Sequence, residues 1–178
     1  MKLRSIWIAL AGLLSLSASP VFALNETFDT PVVTSPTPAP GAWYTDRYAP
    51  GGFSSPDFFD GDNRLLEHID AADGASTRPP AFSSAFYNTQ GRSLDLDPGT
   101  TTLSIDLYVP GDWATTGRRM AGLWGVAIDS LADISAYAIL EFTSDNGTPR
   151  FRAWNGADWD DLGLPTGFAY DSWSTLSI

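Results

Sequence analysis

The sequence predicts an all-β protein, an antiparallel β-sandwich, on three observations. Short runs alternate apolar with polar residues, the period of a strand that buries one face. These runs recur roughly every 8 to 20 residues between Gly, Pro, Asn and Asp punctuation, and no window carries the apolar spacing of an amphipathic helix. The best hairpin signal, Asn146-Gly147, sits between two alternating runs in AYAILEFTSDNGTPRFRAWN, Ala136 to Asn155.

Residues 1–23 read as an export signal: Lys2 and Arg4, an apolar run from Ile6 to Leu16, then Val21-Phe22-Ala23 as a small-residue cleavage site. The run is too short for a membrane-spanning helix and is broken by Ser15, Ser17, Ser19 and Pro20. Residues 24–178 are read as one domain. The mature protein is expected to be secreted, periplasmic or held at the cell surface.

Leu24 to Thr30 is predicted as a first strand, and Pro31 to Pro40 as an extended loop. Phe58-Phe59-Asp60-Gly61-Asp62-Asn63 makes an acidic turn into a strand over Arg64 to Asp70, and Phe82 to Asn88 is a further candidate. Thr101 to Val109 is the clearest strand: Leu103, Ile105, Leu107 and Val109 share one face. Arg118-Arg119 open another to Ile128, where Ala121, Gly125 and Ala127 leave room for a chain segment or a ligand to approach closely.

In the hairpin a two-residue type I′ loop would set Phe142 opposite Phe151, Leu140 opposite Ala153 and Glu141 opposite Arg152. Phe142, Phe151, Leu140 and Ala153 then form the core face, and Thr143, Arg150, Glu141, Arg152, Ile139 and Trp154 the other. Asn155 to Gly167 reads as a long acidic loop. Tyr170 to Ile178 begins an alternating strand whose inward residues Leu176 and Ile178 call for continuation, so the domain is expected to be incomplete at its C terminus.

Composition narrows the function. The only lysine lies in the export signal, leaving eight arginines against 21 acids, a mature charge of −13. Such a surface repels nucleic acid and anionic lipid, and no mature segment is apolar enough to insert in a membrane. It suits divalent cations and neutral sugars. The absence of cysteine excludes disulfides and thiol chemistry. One histidine, His68, excludes a multi-histidine metal site, and its setting in Leu65-Leu66-Glu67-His68-Ile69 fits a solvent-facing strand residue.

Glycoside hydrolysis needs two carboxylates across a cleft, one with a raised pKa. Glu141 is the candidate, but Arg152 opposite it would lower its pKa, and a structural ion pair is the favoured reading. Calcium could be held by Asp60, Asp62 and Asn63 on the acidic turn, or by Asp158, Asp160 and Asp161; neither matches a twelve-residue EF-hand loop. A structural Ca²⁺ would offset the missing disulfides. Sugar binding needs exposed aromatic rings beside polar groups. Trp154, Trp113, Trp159 and Tyr87 are the ring candidates and Arg152, Arg118 and Arg119 the donors, with Trp154 the strongest because the register puts it opposite the core face.

Phe86-Tyr87-Asn88 ahead of TTLSIDLYVP, the hairpin, and Tyr170 to Ile178 with Trp173 resemble the concanavalin A-like lectin/glucanase superfamily. That resemblance implies a jelly roll, and an N-terminal strand acid, Glu26 or Asp29, on a structural ion. The superfamily's glucanases carry E-x-D-x-E; here the matching stretch is Glu141-Phe142-Thr143-Ser144-Asp145, without the middle acid. The chain is also similar to exported bacterial proteins with a C-terminal surface-sorting tail, although no tail is in the sequence. The expected function is a non-catalytic carbohydrate-recognition or matrix module with a polysaccharide or glycan partner. The alternatives are a hydrolase or lyase with part of its site further along the chain, and a purely structural surface module.

Overall fold

A computed structural model describes residues 24–45, 47–69, 78–83, 90–115 and 117–178. The protein is all-β: among the described residues the longest helical piece is the four-residue 3₁₀ turn Gly111–Ala114. It divides into two compact units, with the boundary between Gly99 and Thr100.

In the first unit, β1 (Gly52–Phe59) and β2 (Asp62–His68) form an antiparallel hairpin. Asp60 and Gly61 both take positive φ, 54° and 85°, as a two-residue primed turn requires, so the acidic turn serves strand reversal. The pairing is interrupted between Ser54 and Asp57. Ser55 there accepts from the Val32 amide at 3.0 Å and donates to the Thr30 carbonyl at 2.5 Å, tying the N-terminal segment to β1. The strand expected over Leu24 to Thr30 is absent: that stretch is irregular and exposed except for half-buried Phe28, and its polar side chains bond locally, Thr27 to Asp29 at 2.6 Å and the Phe28 amide to Glu26 at 3.1 Å. Pro80–Phe82 is a 3₁₀ turn, and the rest of the strand expected over Phe82 to Asn88 lies mostly outside the described residues.

The second unit is built from two antiparallel sheets. β3 (Ser104–Val109) pairs with β8 (Ser172–Ser177), and Leu103 and Ile178 extend that pairing by exchanging both backbone bonds, 2.9 and 3.0 Å. β4 (Met120–Ile128), β5 (Ile134–Thr143), β6 (Arg150–Trp154) and β7 (Trp159–Gly163) form a meander in chain order. Its inner face and the β3–β8 pair enclose Val109, Phe142, Phe151 and Leu176, with Trp113, Phe168 and Tyr170 packed around them. Phe142, with no exposed surface, touches the rings of Trp113, Phe151, Phe168 and Tyr170 at 5.5–6.4 Å between centroids. Full burial of one such side chain is worth about 2–3 kcal/mol before ring–ring contacts.

The hairpin register is the one read from the sequence: Ile139 pairs with Trp154, Leu140 with Ala153, Glu141 with Arg152, Phe142 with Phe151 and Thr143 with Arg150. Asn146 and Gly147 take φ of 58° and 75°. The ladder nevertheless stops at Thr143, short of a two-residue loop, because Ser144 is engaged on its other side. Its amide donates to the Arg119 carbonyl at 2.9 Å, its Oγ accepts from the Arg119 amide at 2.9 Å, and the same Oγ donates to the Gly117 carbonyl at 2.8 Å.

Two further expectations are corrected. Asn155 to Gly167 is not one loop, since it contains β7. Asn155 Oδ1 accepts from the Ala157 and Asp158 amides, both at 2.9 Å, and this tight turn brings Trp159 back beside Trp154. The close approach to the small-residue face of β4 is made by the chain itself: a methyl on Gly125 would lie 2.7 Å from Ile178 Cδ1 and 3.1 Å from Leu103 Cδ1.

Candidate functional site

The outer face of the meander collects the chemistry. Antiparallel pairing places Met120, Gly122, Trp124 and Val126 of β4 level with Thr143, Glu141, Ile139 and Tyr137 of β5. β6 adds Arg150, Arg152 and Trp154, and β7 adds Asp161 and Trp159. Four rings stand on this face, all half-buried: Trp124 with Tyr137, 5.8 Å apart and edge-on, and Trp154 with Trp159, 5.5 Å apart and edge-on. Ile139, flanked by Trp124 and Trp154 in the ladder, is only 5% exposed.

Beside the rings lies a buried charge network. Arg152 holds the Glu141 Oε1 through Nε at 2.8 Å and Nη2 at 2.6 Å, and reaches Asp145 Oδ2 through Nη1 at 3.0 Å. Its guanidinium lies 3.9 Å from the centroid of the Trp159 ring. Arg150 joins Asp145 at 2.8 Å and Asp161 at 2.5 Å. The sequence led us to expect Arg152 to lower the Glu141 pKa, and the net direction is the reverse: burial raises it, outweighing Arg152 and the Trp124 side chain, which favour the carboxylate. For Asp145, burial pulls the pKa up, but Arg150 and Arg152 together hold it below the usual carboxylate range.

Glu141 is 2% exposed, so a glycosidic oxygen has no open route to it in this arrangement. The ion pair orients Arg152 and the Trp159 ring instead. Arg152, Trp154 and Trp159 are thus brought together, with Arg152 itself buried at 7% exposure. Trp113 lies on the opposite side of the sheet against Phe142, and Arg118 sits at the rim with its Nε and Nη2 on the Met120 sulfur at 3.2 and 3.0 Å. Trp113 and Arg118 do share a shallow cavity of about 150 Å³ with Ser144, Asn146 and Gly147. Tyr87 lies outside the described residues. Trp124 and Tyr137 were missed because nothing in Asp129 to Asp133 declares the β4–β5 register; once it is known, alternation alone puts Trp124 level with Trp154 across Ile139 and Tyr137 at the next position on the same face.

The metal candidates have protein partners. Asn63 Nδ2 donates to Asp29 Oδ1 at 3.1 Å, Asp62 is paired with Arg64 at 2.7 Å, and Glu26 caps the Phe28 amide. Hydrogen bonds from Thr27 and Asn63 lower the Asp29 pKa, and the Arg64 hydrogen bond lowers that of Asp62. Asp60 occupies the primed turn. Asp160 and Asp161 are neighbours in β7 and point to opposite faces, Asp160 to Asn155 and Asp161 to Arg150. Among the described residues no three His, Cys, Asp or Glu side chains are grouped as a metal ion would need. A guanidinium at 2.7 Å from Asp62 is a poor companion for a cation, so this donor set does not fit Ca²⁺. His68 is an exposed residue at the end of β2, as expected.

No family model, no curated protein and no solved structure matches this chain.

Proposed function

We propose that the chain is an exported, non-catalytic carbohydrate-recognition module that docks an uncharged glycan on the outer face of the β4–β7 meander. The observation that carries this is the set of half-buried rings on that face, Trp124, Tyr137, Trp154 and Trp159. Such rings stack on the C–H faces of sugar rings. The mature charge of −13 favours a neutral ligand over an acidic one. The buried Arg152 acts from beneath, fixing the Trp159 ring, and the resemblance to concanavalin A-like proteins points the same way.

A glycan array probed with the full exported chain, with and without Ca²⁺, tests this. Binding to a defined set of neutral glycans is expected, and Trp154→Ala should weaken it about tenfold, the worth of one aromatic contact. Trp113→Phe, which changes a ring on the core side, should leave it unchanged. Silence across the array in both conditions, or binding indifferent to Trp154→Ala and Trp124→Ala, would overturn the proposal.

A further inference from the structure

The sequence holds two Asn-Gly steps, Asn146-Gly147 between β5 and β6 and Asn155-Gly156 between β6 and β7, and both asparagines are exposed. Asparagine before glycine is where a chain most readily attacks itself, because the glycine has no side chain to obstruct the approach of its amide nitrogen to the preceding carboxamide. Exposure does not distinguish the two asparagines, but hydrogen bonding does.

Asn155 is held at both ends of its carboxamide. Its Oδ1 accepts from the Ala157 and Asp158 amides at 2.9 Å each, and its Nδ2 donates to Asp160 Oδ2 at 3.1 Å. The side chain must leave all three partners before its Cγ can meet the Gly156 nitrogen. The Asn146 carboxamide, in contrast, makes no hydrogen bond. Its turn is also loosely closed. The Gly147 amide donates to the Ser144 carbonyl at 3.2 Å and the Thr148 amide to the Asp145 carbonyl at 3.3 Å, both longer than the common length of about 2.9–3.0 Å. The Asn146 backbone, at φ 58° and ψ 15°, is thus restrained by two weak bonds against the rotation that attack requires.

We propose that Asn146 is a site of spontaneous deamidation in the folded protein, and that Asn155 is protected by its own hydrogen bonds. The Gly147 nitrogen attacks the Asn146 Cγ: an N–Cγ bond forms, the Cγ–Nδ2 bond breaks, and Nδ2 leaves as ammonia with the proton of the Gly147 amide. Water, the only co-reactant, then opens the cyclic imide. Hydrolysis of the N–Cγ bond leaves aspartate at position 146. Hydrolysis of the other imide bond leaves isoaspartate, whose main chain runs through Cβ and Cγ and lengthens the turn by one atom. Either product sets a new carboxylate beside Asp145, which Arg150 and Arg152 already hold.

Peptide mapping by mass spectrometry of the full exported chain, incubated folded at neutral pH without ligand, tests the proposal, and its result is independent of glycan binding. Cleavage after Arg119, Arg150 and Arg152 puts the two asparagines on different peptides. The amide-to-acid mass gain is expected to accumulate at Asn146 at least about tenfold faster than at Asn155, a barrier difference of about 1.4 kcal/mol. In urea, with both turns unfolded, the two rates should converge. Asn146→Gly keeps a turn that accepts the same positive φ and should remove the fast reaction while leaving the near-UV circular dichroism unchanged. Equal rates in the folded chain, faster reaction at Asn155, or a tenfold preference that persists in urea would each overturn it.

Discussion

Arg152→Met tests the central electrostatic claim. Methionine keeps much of the stem but removes both nitrogens that hold Glu141, at 2.6 and 2.8 Å, and the one that holds Asp145 at 3.0 Å. Asp145 keeps Arg150, whereas Glu141, 2% exposed, loses its cation. Breaking a buried pair from one side costs about 3–5 kcal/mol, which at a urea slope of about 2 kcal/mol per molar lowers the midpoint by about 2 M. The double variant Glu141→Leu, Arg152→Met leaves no orphan carboxylate and should recover at least about 1 kcal/mol of that loss. The pH dependence has a definite sign. The folded-state pKa of Glu141 already lies above its unfolded value, and losing Arg152 raises it further. A carboxyl so shifted contributes stability that is complete below the unfolded pKa and lost as pH rises through the folded one, so the deficit of Arg152→Met should be smaller at pH 5 than at pH 7. Urea unfolding followed by tryptophan fluorescence reads all three. A loss under about 1 kcal/mol, a double variant no better than the single, or a deficit indifferent to pH would refute the reasoning.

Three other outcomes follow. Gly122→Ala should be far more damaging than Gly125→Ala: a methyl at Gly122 meets Glu141 Cβ and the Leu140 carbonyl inside contact distance, whereas at Gly125 its nearest neighbour is the movable tip of Ile178. The ordering of the two melting temperatures checks this. Phe142→Ala should cost about 3–5 kcal/mol in chemical denaturation, since four rings lose their common neighbour. The melting temperature in excess EDTA should equal that in millimolar Ca²⁺, because Asp62 already pairs with Arg64 and Asp29 with Thr27 and Asn63; a drop in EDTA would restore calcium as a structural ligand.

The parts of the fold legible in the sequence are those where burial and alternation coincide. Phe142, Phe151, Leu140 and Ala153 can share a core face in only one register, so Glu141 had to meet Arg152. Leu107 and Val109 announced β3 in the same way. β1 escaped because Pro56 and two serines interrupt its pattern, and β7 because WDDLG has the composition of a loop and becomes a strand only by pairing with β6. Leu24 to Thr30 shows the converse, a strand-like pattern that local side-chain bonds divert. The candidate site was half visible: Arg152 and Trp154 follow from the hairpin and Trp159 was read as a loop ring, while Trp124 and Tyr137 depend on a pairing for which the Asp129 to Asp133 turn gives no Asn-Gly signal.

The pairing of β3 with β8 has a practical consequence. Leu103 and Ile178 exchange two backbone hydrogen bonds, so residues 75 apart in sequence are neighbours on one sheet. Closing so long a loop costs more chain entropy than closing the β5–β6 hairpin. The hairpin is therefore expected to form before the β3–β8 pair during refolding.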